Sequence, residues 1–124
     1  MNTKKVIQMI SLVEVSKIGE LEEGTMKKLS IGGQKILLAR VGDRYYAAGN
    51  SCPHMGGNLS QGKLEGSIVT CPRHGSQFDL TNGRVIRWTN WTGLVAAASK
   101  IVRSPRPLRT YKVQVEGDKI MVEV

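Results

Sequence analysis

No stretch of this 124-residue sequence stays apolar for the roughly 18 residues that a membrane-spanning helix requires, so no membrane span is expected. The opening, MNTKKVIQMISLVEV, sets lysines before apolar residues. Gln8 and Ser11 interrupt that run, Glu14 closes it and no small-residue cleavage site follows. It reads as a first strand rather than a secretory signal, and a cytoplasmic location is expected. With only two cysteines the chain could form one disulfide at most, and the histidines beside them argue for a metal instead. Aromatic residues make up only 5% of the chain and the basic residues are dispersed, so nucleic acid is not an expected partner. No internal repeat and no low-complexity segment is apparent. Acidic residues are scarce, ten against eighteen Lys or Arg, and the net charge is +8. The excess is local: residues 62–112 hold nine Lys or Arg against Glu65 and Asp79 alone. The chain is long enough for one domain with a modest core and too short for two.

Glycine and β-branched residues are abundant, and they organise the chain into short units. Strands are expected at Ser11–Val15, Thr25–Ile31, Gln34–Val41 and Tyr45–Ala48. Turn signals at Leu21-Glu22-Glu23-Gly24, Gly32-Gly33 and Gly42-Asp43 separate them. Further hairpins are expected across Glu65-Gly66, with arms Lys63–Leu64 and Ser67–Thr70, and across Thr81-Asn82-Gly83, with arms Gln77–Leu80 and Arg84–Ile86. A last pair, Thr110–Val115 and Lys119–Val124, flanks Glu116-Gly117-Asp118. This spacing predicts an all-β, antiparallel β-sandwich or partly open barrel. One segment departs from it. Trp91, Leu94, Val95, Ala98, Ile101 and Val102 fall at helical spacing, which predicts a short helical insertion over about 89–103, stopped by Pro105 and Pro107.

Both cysteines and both histidines lie in two short loops, Cys52-Pro53-His54 and Cys71-Pro72-Arg73-His74, with sixteen residues between His54 and Cys71. Each loop offers one thiolate and one imidazole, and the intervening hairpin returns the chain to the first loop. A structural zinc accepts such a Cys2His2 set, although Cys52 and His54 are closer in sequence than paired zinc ligands usually are. A thiolate paired with histidine for nucleophilic catalysis leaves the doubling unexplained. An iron–sulfur cluster with two histidines replacing two cysteines on one iron fits the doubling. The bare spacing leaves zinc and cluster both open.

The wider context, CPHMGGNLSQG followed by CPRHGSQFDLTNGRV, resembles the Rieske iron–sulfur family. Its C-x-H and C-x-x-H pair is accompanied here by Gly56, Leu59, Gly62, Gly75, Phe78, Asp79 and Gly83. Ser104–Leu108, SPRPL, is similar to the proline-containing segment that covers the cluster in that family. The resemblance implies a [2Fe-2S] cluster, with Cys52 and Cys71 on an inner iron and His54 and His74 on an outer one. It also implies a Rieske-like fold, a single domain over 1–124 with a small cluster-binding subdomain at about 50–81. High-potential members of the family carry a disulfide between the two loops, at the positions of Gly57 and Arg73 here. They also place serine and tyrosine hydroxyls as donors to the cluster sulfurs. Ser76 keeps the first of these, and Phe78 lacks the second. A reduction potential towards the lower part of the roughly −150 to +300 mV range of such centres is therefore expected.

On this resemblance the chain is a soluble Rieske-type ferredoxin, a one-electron carrier between a reductase and a terminal acceptor such as an oxygenase, and not itself an enzyme. It has no spare histidine for a second iron site. The alternatives are a small Rieske subunit of a larger reductase or a zinc-stapled binding module. Lys63, Arg73, Arg84 and Arg87 either attract an acidic partner or form a solvated surface. Trp88 and Trp91 are expected to pack in the sandwich.

Overall fold

A computed structural model of the chain describes residues 11–54, 56–89 and 105–124. Eleven strands and one 3-10 turn occur among them: β1 (Leu12–Lys17), β2 (Met26–Ile31), β3 (Gln34–Val41), β4 (Arg44–Gly49), the turn Leu59–Gln61, β5 (Lys63–Glu65), β6 (Ile68–Thr70), β7 (Gln77–Asp79), β8 (Val85–Arg87), β9 (Thr110–Tyr111), β10 (Val113–Glu116) and β11 (Lys119–Glu123). The expected helical insertion at 89–103, with Trp91, falls outside the described residues apart from Thr89. Where strands meet across glycine the turns are tight. Gly32 and Gly33 both take positive φ, +55° and +82°, which lets a two-residue link join Ile31 to Gln34 in register.

The strands form three antiparallel sheets, in the orders β1-β11-β10, β2-β3-β4-β9 and β5-β6-β7-β8. Side-chain alternation along β3 explains how they stack. Ile36 and Leu38 join a core with Leu21, Tyr45, Ala47, Ile120 and Val122, the last two from β11. Leu37 and Ala39 point the opposite way, into a core with Ala48, Leu59, Val69, Phe78, Leu80, Trp88, Leu108 and both cysteines. The β2-β3-β4-β9 sheet is thus the middle layer. The stretch Ile36–Ala39 is buried on both faces, so it reads as a continuous apolar run.

The expected strand Thr110–Val115 is two strands in two sheets. Tyr111 and Thr110 pair with Ala47 and Ala48 of β4, whereas Val113–Glu116 pair with β11. The chain changes layer at Lys112, whose carbonyl accepts from the Glu123 N–H at 2.9 Å. Such sheet-switching strands make the corners of a sandwich.

Candidate metal centre

Two loops built on the same turn carry the four candidate ligands. The Cys52 N–H donates to the Gly57 carbonyl (2.9 Å), and the Cys52 carbonyl accepts from the Gly56 N–H (2.8 Å). The Cys71 N–H likewise donates to the Ser76 carbonyl (2.7 Å), and the Cys71 carbonyl accepts from the Gly75 N–H (3.1 Å). Each turn has proline directly after cysteine, and its glycine takes positive φ, +75° at Gly56 and +73° at Gly75. Cys-Pro-His-Met-Gly and Cys-Pro-Arg-His-Gly are therefore two copies of one short turn. Histidine stands third in the first copy and fourth in the second.

The first loop is held from below by Asn50, which is fully buried. Its side-chain oxygen accepts from the Ser60 N–H (2.9 Å) and its amide donates to Asn58 Oδ1 (3.1 Å). Its carbonyl accepts from the Leu59 N–H (2.9 Å), so one residue organises the whole Asn58–Ser60 return. Close approach there excludes a side chain at Gly62, where a Cβ would lie 1.9 Å from the Thr70 carbonyl oxygen.

The second loop is strapped by three consecutive residues after Ile86. Arg87 Nε donates to the Gly75 carbonyl (3.0 Å) and Thr89 Oγ1 donates to the His74 carbonyl (3.3 Å). Between them, the Trp88 carbonyl accepts the Ser76 hydroxyl. The Trp88 ring stands edge-on to His54 at 4.9 Å and to Phe78 at 6.5 Å. Residues 87–89 thus touch both loops. Sequence reasoning placed Trp88 in the packing and Arg87 on the surface, and missed this shared role. It also missed Asn50. Ser76 is fully buried, as a donor at the centre would be.

These contacts bring the four side chains together in pairs. Cys52 and Cys71 are each 3% exposed, and no disulfide joins them. The Cys52 thiol hydrogen-bonds to Cys71 and, with the Arg73 and His74 backbone N–H groups and the charge on His74, draws the Cys71 thiol down to about 6 against the opposing effect of burial. The two imidazoles meet edge to face, ring centroids 5.4 Å apart and planes at 83°. His54 is 2% exposed and His74 is half-buried, so the second histidine is the more accessible. Among the described residues, no three His, Cys, Asp or Glu side chains surround one point closely enough to hold a single ion. A thiol pair beside an imidazole pair is the donor set of a two-iron centre, and the buried indole N–H of Trp88, with no acceptor on the protein, leaves a donor in the wall of the same site. The residues present fit a Rieske-type group.

Gly57 and Arg73, the positions at which the resemblance sets a disulfide in high-potential Rieske proteins, face each other. A Cβ on Gly57 would lie 3.0 Å from both Cγ and Cδ of Arg73 and 2.7 Å from Cys71 Sγ. The arginine stem covers the place of the bridge. Of the SPRPL segment, Ser104 lies outside the described residues, and the Leu108 N–H donates to the Gly83 carbonyl at 2.8 Å while its side chain joins the cysteine-bearing core. An open groove of about 490 Å³ beside Tyr45, Tyr46 and Tyr111 contains no thiol or imidazole. Among the described residues no helix is long and apolar enough to cross a membrane.

The family model of the Rieske [2Fe-2S] domain matches residues 11–112. The chain is 29% identical over 115 residues to the ferredoxin component of biphenyl 2,3-dioxygenase from Rhodococcus jostii (strain RHA1), covering 93% of this chain and 94% of that one. It is 28% identical over 122 residues to the ferredoxin component of the naphthalene 1,2-dioxygenase system of Pseudomonas aeruginosa, covering 98% of each. Among solved structures, a chain in the complex of reduced oxygenase and oxidized ferredoxin in carbazole 1,9a-dioxygenase superimposes with a TM-score of 0.73 at 26% identity, over 89% of this chain and 99% of that one.

Proposed function

This chain belongs to the Rieske [2Fe-2S] domain family, and from that premise we propose that it works as a soluble ferredoxin carrying single electrons from a reductase to an oxygenase. Its cofactor is a Rieske-type [2Fe-2S] cluster, which when bound accepts and releases one electron at a time. Cys52 and Cys71 would hold one iron, and His54 and His74 the other. The arrangement in pairs carries this assignment: two buried thiols in hydrogen-bond contact stand beside two imidazoles 5.4 Å apart.

The protein's own part is positioning and exclusion. The twin turns set the cysteines, the strap Arg87–Thr89 fixes the His74 loop, and Trp88 shields His54. The half-buried His74 is the side from which an electron leaves most directly. The ferredoxin components it resembles serve dioxygenase systems, and transfer to an oxygenase follows for this chain on the same architecture. On this reading residues 1–124 are one Rieske domain with the cluster-binding part at about 50–81, to which the strap Arg87–Thr89 is tied. Two thiols left unbridged suit a reducing compartment, and a cytoplasmic location is part of this reading.

Protein purified without oxygen is expected to be red-brown, with iron and acid-labile sulfide in equal amounts. A colourless protein binding one zinc overturns the reading. With no cysteine at Gly57 or Arg73 to bridge the loops and no hydroxyl on Phe78, the midpoint potential is expected in the lower part of the roughly −150 to +300 mV range, and redox titration giving more than roughly +200 mV contradicts this.

A further inference from the structure

We propose that the face formed by Lys63, Arg73 and Arg87 is a docking surface for an electron-transfer protein whose own redox centre lies behind an acidic surface; this rests on the electron-carrier reading above. The pairing register puts these charges at the ligand end of the sheet. Lys63 pairs with Thr70, Thr70 with Gln77 and Gln77 with Arg87, one row across all four strands. Its two middle members flank the second ligand loop, Thr70 directly before Cys71 and Gln77 directly after Ser76. Gln77 Nε2 donates to Thr70 Oγ1 at 3.1 Å, so the middle of the row lies on one face, and both of its ends are exposed cations.

The acidic residues of this sheet sit at its other end. Glu65 pairs with Ile68 and Ile68 with Asp79, two residues and about 7 Å further along the strands. No Asp or Glu occurs between Asp43 and Glu65, between Glu65 and Asp79, or between Asp79 and Glu116. Neither ligand loop nor the strap therefore contains a compensating anion.

One of the three cations is held in place: Arg87 is tied to the Gly75 carbonyl beside His74. Arg73 is exposed, and its stem passes over Gly57 at the junction of the loops. Like charges around the most accessible ligand focus a positive field where an electron leaves, and such fields raise association rates with an oppositely charged partner by about 10- to 1000-fold. A protein partner fits better than a nucleic acid because Phe78 and Trp88 are buried and provide no stacking platform on this face.

The test uses cluster-loaded protein, reduced and desalted, mixed with ferric cytochrome b5, acidic around its haem edge, or ferric cytochrome c, basic there. One electron leaves the protein and reduces one ferric haem to ferrous, with no proton transferred. At low ionic strength the acidic acceptor should react faster, and about 0.5 M salt should remove the difference. The Lys63→Glu/Arg73→Glu variant should slow cytochrome b5 reduction at least 10-fold and speed cytochrome c reduction. Lys28→Glu/Lys119→Glu, which lowers the net charge equally on other sheets, should change either rate less than 3-fold. If the reversed variant does not take up the cluster, Lys63→Ala/Arg73→Gln serves, with a smaller change of the same sign. Equal effects of the site and control pairs overturn the inference. So does tight binding of a 20-base-pair DNA duplex that the site variant loses, which transfers the face to nucleic acid. Absence of the cluster's visible absorption from the starting protein is a separate result and defeats the electron-carrier reading itself.

Discussion

Gly57 is glycine because Cys71 occupies the place of a side chain. Its added Cβ would meet Cys71 Sγ at 2.7 Å and the Arg73 stem at 3.0 Å. The arginine can swing aside, but a sulfur holding iron, as Cys71 would, could not. Gly57→Ala is thus expected to leave the sheets intact and to lower iron content per chain, measured after reconstitution against an unchanged far-ultraviolet spectrum. A variant that loads as fully as the parent contradicts this account of the loop contact. Cys71 makes a second, pH-dependent statement. Its thiol ionises at about 6 in the fold, against 9.0 for the free group, chiefly because Cys52 donates to it. The folded value is the lower one, so the thiolate's stabilisation is fully present above pH 9 and is lost as pH falls through 6. Cluster-free protein should therefore show a urea midpoint that rises between pH 6 and 9, and Cys71→Ser should flatten that rise.

At the scale of elements, the turn between β7 and β8 shows how a local signal is reinforced. Asp79 accepts from the Thr81 N–H (2.9 Å), the Thr81 hydroxyl (2.7 Å) and the Ser67 hydroxyl (3.1 Å). The Thr81 backbone N–H is the foremost reason that its carboxyl is held below the usual carboxylate range. Stability from this group is present above the unfolded-state value and is lost as pH falls through the lower folded one. Asp79→Asn keeps one acceptor oxygen and loses the charge. Its urea midpoint should be below the parent's at pH 7 and converge with it in acid, and a gap that persists there would place the effect elsewhere. This turn was legible because Asn-Gly states it locally, as Gly32-Gly33 and Gly42-Asp43 state both ends of β3. The break at Lys112 was not legible, since alternation continues through it and only pairing with β4 and then β11 divides the strand. The four candidate ligands stood out by rarity and spacing. Asn50, Arg87 and Thr89 did not, because they act on backbone groups up to fifteen residues away, a contact that no residue type announces. The doubled turn had a readable signal, proline after each cysteine and glycine four residues beyond it.

For the whole molecule, burial of β3 on both faces separates stability from cofactor retention. Leu37 and Leu38 are neighbours, both with no exposed surface, and they point into different cores. Leu38 packs with Ile120 and Val122 under the outer sheet, whereas Leu37 shares its core with Cys52, Cys71, Phe78 and Trp88. Truncating either to alanine should cost about 2–5 kcal/mol, because each deletion leaves a cavity that rigid sheets fill poorly. The consequences at the centre should differ. In Leu38→Ala the cavity lies across the middle sheet from the thiols, so the variant should melt earlier while holding its iron as long as the parent under a chelator at moderate temperature. In Leu37→Ala the floor beneath the cysteines loosens, and iron should be lost several-fold faster at the same stability loss. Chelator-challenge rates set against urea midpoints for the two variants decide it. If iron loss follows stability alone, one line will describe both and the two cores act as one. If the layers divide the labour as their packing indicates, Leu37→Ala will lie well above the line through the parent and Leu38→Ala.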